Sequence, residues 1–206
     1  MKVALIGATG RVGSKILTEA LARNHRVTAI VRDPTKLKPQ ADLTIETGTV
    51  ADAAGLAGLF TGHDAAISAY NPALPGGEEA IGAIIEAAKA AHIRLLVVGG
   101  AATLEVAPGT RVIDKPDFPA EWKAGALKTA QFLERLRREN ALDWTFFSPA
   151  VLLVPGDRTG KFRLGGDQVV ADASGASRIS LEDYAVAMVD ELEQPKHRRK
   201  RFTIGY

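Results

Sequence analysis

Glycine recurs at every third position in Gly7-Ala8-Thr9-Gly10-Arg11-Val12-Gly13. Without a Cβ, glycine lets the backbone turn sharply and come into contact with a ligand. The apolar run Val3-Ala4-Leu5-Ile6 leads into this turn, and Val12, Ile16, Leu17, Ala20 and Leu21 follow at helical spacing. A strand that turns on glycine into a helix presents unpaired N–H groups and the positive end of the helix dipole at one point. The chemistry expected there is capture of a dinucleotide pyrophosphate, with Gly7, Thr9, Gly10, Arg11, Val12 and Gly13 as its contacts.

A second position bears on which dinucleotide is held. An NAD site commonly places an acid roughly 20 residues beyond the glycine turn, at the end of the next strand, where it accepts from the adenine ribose. Here the strand Val27–Val31 ends in Arg32. A guanidinium there can pair bidentately with a 2′-phosphate, aided by Arg11. NADP(H) is therefore the expected cofactor; Asp33, one residue further on, keeps NAD possible.

The G-x-x-G-x-x-G spacing with the wording Gly7-Ala8-Thr9-Gly10-Arg11 resembles the atypical short-chain dehydrogenase/reductase superfamily. Val97-Val98-Gly99-Gly100-Ala101, Asp117-Phe118-Pro119, Ser148-Pro149-Ala150, Arg158-Thr159-Gly160-Lys161-Phe162 and Ile179-Ser180-Leu181-Glu182-Asp183-Tyr184-Ala185 narrow the resemblance. Together they are similar to the NADH-flavin reductase family of NAD(P)-binding oxidoreductases, and they extend over nearly the whole chain.

The resemblance implies further cofactor contacts at Thr49 and Val50 beside the adenine, Ala69 beside the ribose, and Gly99 and Pro149 at later strand ends. The Gly-Asp that such proteins often carry after the third strand is Gly48-Thr49 here, with Asp52 further on. Alcohol-oxidising members use a Tyr-x-x-x-Lys pair, in which the lysine lowers the tyrosine pKa for proton exchange. This chain has Lys128, but Ala124 stands four residues before it, and Gly99-Gly100-Ala101-Ala102 replaces the hydroxyl residue after the fifth strand. Tyr70, Thr103 and Lys128 remain as catalytic candidates.

The missing pair suits an electron-poor ring acceptor, whose proton can arrive from solvent. The expected activity is NAD(P)H-dependent reduction of a flavin, FMN or riboflavin, or of a quinone or similar ring, with the chain orienting both rings. The alternative is a non-catalytic NAD(P)-binding redox sensor. A sugar-nucleotide epimerase is disfavoured by the chain's length and the missing tyrosine.

The elements that must position these residues alternate short apolar runs with helical patterns. Strands are expected at residues 3–6, 27–31, 43–46, 64–69, 93–98 and 144–147, with helices near 12–21, 53–60, 78–91, 120–140 and 181–193. A terminal strand follows at 202–204. The expected fold is α/β: a Rossmann-like doubly wound parallel sheet with helices on both faces and a small irregular C-terminal substrate region. The ligand then lies where the carboxyl ends of the strands converge.

All 206 residues are expected to form one domain, with the substrate region drawn mainly from 104–122 and 150–180. Phe118, Trp122 and Pro149 offer flat apolar surface, and Lys115, Arg158 and Lys161 are candidates for an FMN phosphate. A hairpin is expected between 155–166 and 168–171, and Ser180-x-x-Asp183 resembles a capping box.

The chain has no cysteine, and His25, His63, His92 and His197 show no ligand spacing, so no metal is expected. The formal charge is +2, but Lys196, Arg198, Arg199, Lys200 and Arg201 hold five of the 26 basic side chains, leaving 21 against 24 acidic ones. That short run reads as a solvated turn, so no nucleic-acid partner is expected. With no signal peptide or bilayer-length apolar run legible, the expected location is the cytoplasm and no membrane is expected as partner. Oligomeric state is not legible.

Overall fold

The computed structural model describes residues 1–206. The first half is β1 (Lys2–Ile6), α1 (Gly13–Ala22), β2 (Arg26–Val31), β3 (Leu43–Thr47), α2 (Ala53–Phe60), β4 (Ala65–Ser68), α3 (Gly77–Ala90) and β5 (Arg94–Val98). The second is β6 (Glu105–Ala107), β7 (Thr110–Arg111), α4 (Ala120–Arg137), β8 (Trp144–Ser148), β9 (Leu152–Val154), β10 (Arg163–Gly165), β11 (Arg178–Ser180), α5 (Leu181–Glu193) and β12 (Lys200–Gly205).

Eight strands form one sheet in the order β3-β2-β1-β4-β5-β8-β12-β10, parallel except for the β12–β10 edge. The chain winds outward from β1 in one direction and returns to wind outward from β4 in the other. The switch point between β1 and β4 therefore faces the ligand crevice of a doubly wound sheet. All four residues of β4 are buried, because helices cover both faces of the sheet at its centre.

One apolar cluster joins Ile16, Leu17 and Ala20 of α1 to Tyr184, Met188 and Leu192 of α5. The opposite cluster joins Leu56 and Phe60 of α2, Ile81 and Ile84 of α3, and Phe132 and Leu136 of α4. Local signals set the helix starts. Asp52 accepts from the Gly55 N–H at 3.0 Å at the start of α2, and Ser180 Oγ accepts from the Asp183 N–H at 2.9 Å at the start of α5.

The second half corrects several expectations. Arg163–Gly165 does not form a hairpin with 168–171; it pairs antiparallel with Thr203–Gly205, closing the open edge of β12. An unpaired strand edge offers a whole row of donors and acceptors, which the short local turn cannot match. Gln168 instead makes a single bridge to Glu105. The segment 104–119 contains the β6–β7 hairpin and a 3₁₀ turn over Val112–Asp114.

Nor is the C-terminal basic run wholly a solvated turn. Arg201 lies on β12 with its side chain 4% exposed and paired with Asp167, since a buried guanidinium needs a carboxylate partner. The Ser180–Asp183 cap is half a capping box. Asp183 does not return to the Ser180 N–H but accepts from Thr159, Gly160 and Tyr206, while Tyr206 Oη accepts from that N–H.

Candidate active site

The glycine turn connects β1 to α1 beneath the end of β4. Gly7 has φ +80°, and a Cβ there would come 2.7 Å from the Ala69 carbonyl oxygen. A Cβ on Gly13 would lie 2.1 Å from the Gly7 carbonyl oxygen. The Gly10 N–H donates to Gly7 O at 2.9 Å and closes the turn. The N–H groups of Arg11, Val12 and Gly13 find no acceptor in the chain. Thr9 and Gly10 are exposed beside them. A backbone pressed this close and opening three donors at a helix start fits a pyrophosphate.

Arg32 directly follows β2, exposed, with no carboxylate of the chain paired to it. Asp33 has a different task. Its Oδ1 accepts from the Thr35 N–H at 3.1 Å and from Thr35 Oγ1 at 2.6 Å, capping the turn at Pro34–Lys36. Those hydrogen bonds hold its carboxyl below the usual range. Arg11 donates to the Leu153 carbonyl at 2.6 Å, so it ties the loop to β9.

Thr49 Oγ1 accepts from the Ala51 N–H at 3.3 Å, and Val50 packs on the α2–α3 side of the core. Asp52 caps α2, which explains why a carboxylate stands there rather than directly after Gly48. Ala69 packs against Gly7 and Gly13 of the turn. Gly99 leaves room for the Phe146 ring, 2.3 Å from where its Cβ would be, and Pro149 is buried behind it.

Next to the turn, the ends of β4, β5 and β8 open into a cleft of about 570 Å³. Its lining is mainly apolar: Ala73, Ala101, Phe118, Trp122, Phe146 and Val151 are among its walls, with Asn71, Thr103, Thr129 and the carboxylate of Glu121 as polar groups. Trp122 is 63% exposed at the rim.

Of the three catalytic candidates, the structure brings only Thr103 to this lining. Tyr70 stands outside it, half-buried against the α2–α3 core. Burial raises its hydroxyl above 10.0, opposed by the charge of Arg32 and reinforced by Glu79. Lys128 is half-buried on α4 and does not line the cleft, although Ala124 and Thr129 on the same helix do.

The expected substrate walls separate. Residues 104–122 contribute Val112, Phe118, Glu121 and Trp122, with Thr103 just before them, whereas 150–180 contributes Val151. The turn at 156–161 instead packs over α1 and α5. Arg158 makes a bidentate pair with Glu19 at 2.8 Å, and Glu19 is 5% exposed, so the cation is drawn to a buried carboxylate. Lys115 pairs with Asp117, and Lys161 lines a separate pocket with Arg178 and Tyr206. No phosphate site forms from these three.

Other polar candidates are occupied or enclosed. Ser68 and Ser148 are fully buried, while His25 meets Glu193, His63 meets Thr28 and His197 meets Glu191. Sequence reasoning missed Arg201. Its Nη1 donates to Thr103 Oγ1 at 3.0 Å, a contact across 98 positions that no local pattern signals. No helix is long and apolar enough to cross a membrane.

Comparison with known proteins agrees with this geometry. The NAD(P)H-binding family matches residues 7–195. The chain is 43% identical to the Bacillus subtilis protein called "Uncharacterized protein YwnB", covering 99% of this chain and 98% of that one. A Bacteroides thetaiotaomicron structure described as a "putative epimerase" is 45% identical with TM-score 0.95, over 100% of this chain and 96% of that one. A Streptococcus pneumoniae structure described as "a putative NADH-flavin reductase" is 38% identical with TM-score 0.87, over 100% and 99%. With its glycine turn, its switch point and these relatives, the chain belongs to the NAD(P)H-binding family and has a Rossmann-type fold.

Proposed function

We propose that this protein is an NADPH-dependent reductase of a flavin, quinone or similar ring acceptor, working without a Tyr-Lys proton relay. The observation that carries the reading is the mainly apolar cleft beside the glycine turn, which has Phe118 and Trp122 in its walls and no tyrosine. A flat, electron-poor ring suits such walls.

When bound, the nicotinamide supplies the hydride. The chain's own residues bind and orient. Gly7 to Gly13 would hold the pyrophosphate and Arg32 the 2′-phosphate, with the small Ala69 beside the ribose, while Gly99 and Pro149 shape the strand ends behind the site by admitting and backing the Phe146 ring. NADPH is favoured over NADH because Asp33 Oδ1 is engaged by Thr35 while the Arg32 guanidinium is exposed. Phe118, Trp122 and Val151 sandwich the acceptor and exclude water. All 206 residues serve as one domain, and the absence of cysteine suits a reducing cytoplasm. The partner is a small molecule rather than nucleic acid, since Arg198 and Arg201 of the basic run are paired with Asp143 and Asp167.

The test follows loss of reduced-nicotinamide absorbance with NADPH or NADH against riboflavin, FMN and a simple quinone. An Arg32→Ala variant runs alongside. Saturable turnover is expected, with the NADPH Kd raised about tenfold or more in the variant and the NADH Kd unchanged, as the loss of a charge-assisted contact requires. Tight cofactor binding with no turnover on any acceptor would replace this reading by the redox sensor.

A further inference from the structure

Arg201 enters the sheet on β12 with almost no solvent contact, yet its guanidinium reaches the wall of the cleft. One edge is held by Asp167: Nε donates to Oδ1 at 2.7 Å, Nη2 donates to the same oxygen, and Nη2 also meets the Asp167 carbonyl at 3.4 Å. Arg137 adds a second cation to that carboxylate at 3.4 Å. The remaining nitrogen, Nη1, donates to Thr103 Oγ1 at 3.0 Å.

The direction of this last bond has a chemical consequence. A guanidinium has five donors and no acceptor, so it occupies a lone pair of the Thr103 oxygen and cannot take the hydroxyl proton. No other group of the chain accepts that proton, and Thr103 lines the cleft. The fixed positive charge on the oxygen also draws electron density from the O–H and strengthens it as a donor.

We propose that Arg201 is a positioning residue that fixes the Thr103 hydroxyl as a hydrogen-bond donor into the cleft, toward a carbonyl oxygen of the ring acceptor. This rests on the reductase reading above. Negative charge that develops on such an oxygen as the ring is reduced meets a donor already oriented, so little reorganisation is needed. Asp167 holds the guanidinium so that its free nitrogen faces Thr103. The same aspartate accepts from the Glu105 N–H at 2.9 Å, so the clasp also anchors the β6–β7 hairpin. A merely structural clasp is therefore the rival explanation.

The experiment measures riboflavin affinity for the NADP⁺-loaded protein by quenching of flavin fluorescence, a dead-end complex that needs no turnover. The proteins are wild type, Thr103→Val, Thr103→Ser, Arg201→Lys and the double Thr103→Val/Arg201→Lys, each with its melting temperature. Thr103→Val and Arg201→Lys are each expected to weaken riboflavin about tenfold, the value of one well-placed hydrogen bond. The double variant is expected to be no weaker than Thr103→Val alone, and Thr103→Ser to bind as wild type does.

Wild-type affinity in Thr103→Val, about hundredfold additive loss in the double variant, or no riboflavin binding by the wild type would each overturn the assignment. Should Arg201→Lys fail to fold, Arg201→Gln completes the same cycle. The expected affinity pattern in a protein that consumes no NADPH with any acceptor would sink the reductase reading and leave Arg201 assigned.

Discussion

Gly13 faces the carbonyl of Gly7 so closely that a Cβ on residue 13 would stand 2.1 Å from the oxygen and 2.8 Å from the carbon. The start of α1 is thereby pressed against the turn, and its free N–H groups open at the end of β1. Gly13→Ala must push the two apart. Overpacking of this kind costs about 1–3 kcal/mol, and it also displaces the donors. The variant is expected to melt lower and to bind NADPH at least about tenfold more weakly by fluorescence titration. Unchanged affinity would show that the pyrophosphate does not use this turn.

Trp122 stands at the cleft rim, 63% exposed, where an aromatic face adds stacking to an apolar wall. Such contacts contribute about 0.5–1.5 kcal/mol, so Trp122→Ala is expected to raise the KM for riboflavin roughly three- to tenfold with little change in kcat. FMN and riboflavin are expected to share one KM, because Arg158 is committed to Glu19 and Lys115 to Asp117. A marked preference for FMN would require a phosphate site that these two paired cations do not form.

Tyr184 is fully buried, stacks on Phe147 at 4.2 Å, and donates its hydroxyl to the Phe147 carbonyl at 2.7 Å. That carbonyl also accepts from the Gly99 N–H at 2.8 Å, so losing the tyrosine hydroxyl does not leave it unpaired. Tyr184→Phe should accordingly cost only about 1 kcal/mol, a fall of about 2–4 °C in Tm by calorimetry. Turnover should be unchanged. A large loss of kcat at constant Tm would instead make Tyr184 the missing proton donor.

Burial opposes ionisation of Asp183, but hydrogen bonds from Thr159 at 2.6 Å, Gly160 at 2.8 Å and Tyr206 at 2.8 Å outweigh it. Its carboxyl is held below the ordinary 3.8. A depressed folded-state pKa gives stability that is complete above the unfolded value and lost as pH falls through the folded one. Wild type should therefore exceed Asp183→Asn in stability by a constant margin from neutral pH down to about pH 5, and the margin should close below about pH 4. Urea unfolding at stepped pH measures it. A margin that stays constant into strong acid contradicts the assignment.

What the amino-acid order by itself determined is the first half of the molecule. Gly7, Gly10 and Gly13 between an apolar run and a helical period specify strand, turn and helix over about twenty neighbouring residues, and the later alternation specifies a parallel sheet wound in both directions. These features are local or periodic, so hydrophobic spacing and backbone geometry express them directly. The tertiary structure decided what the charges do. Arg158 goes to Glu19, 139 positions away; Arg201 goes to Thr103, 98 away; Asp33 turns to its neighbour Thr35 and leaves Arg32 exposed. It also gave Arg163–Gly165 to the edge of β12 rather than to a nearby turn. A long charged side chain or an edge strand can satisfy itself with any of several partners, and only the assembled sheet determines which of them lies within reach.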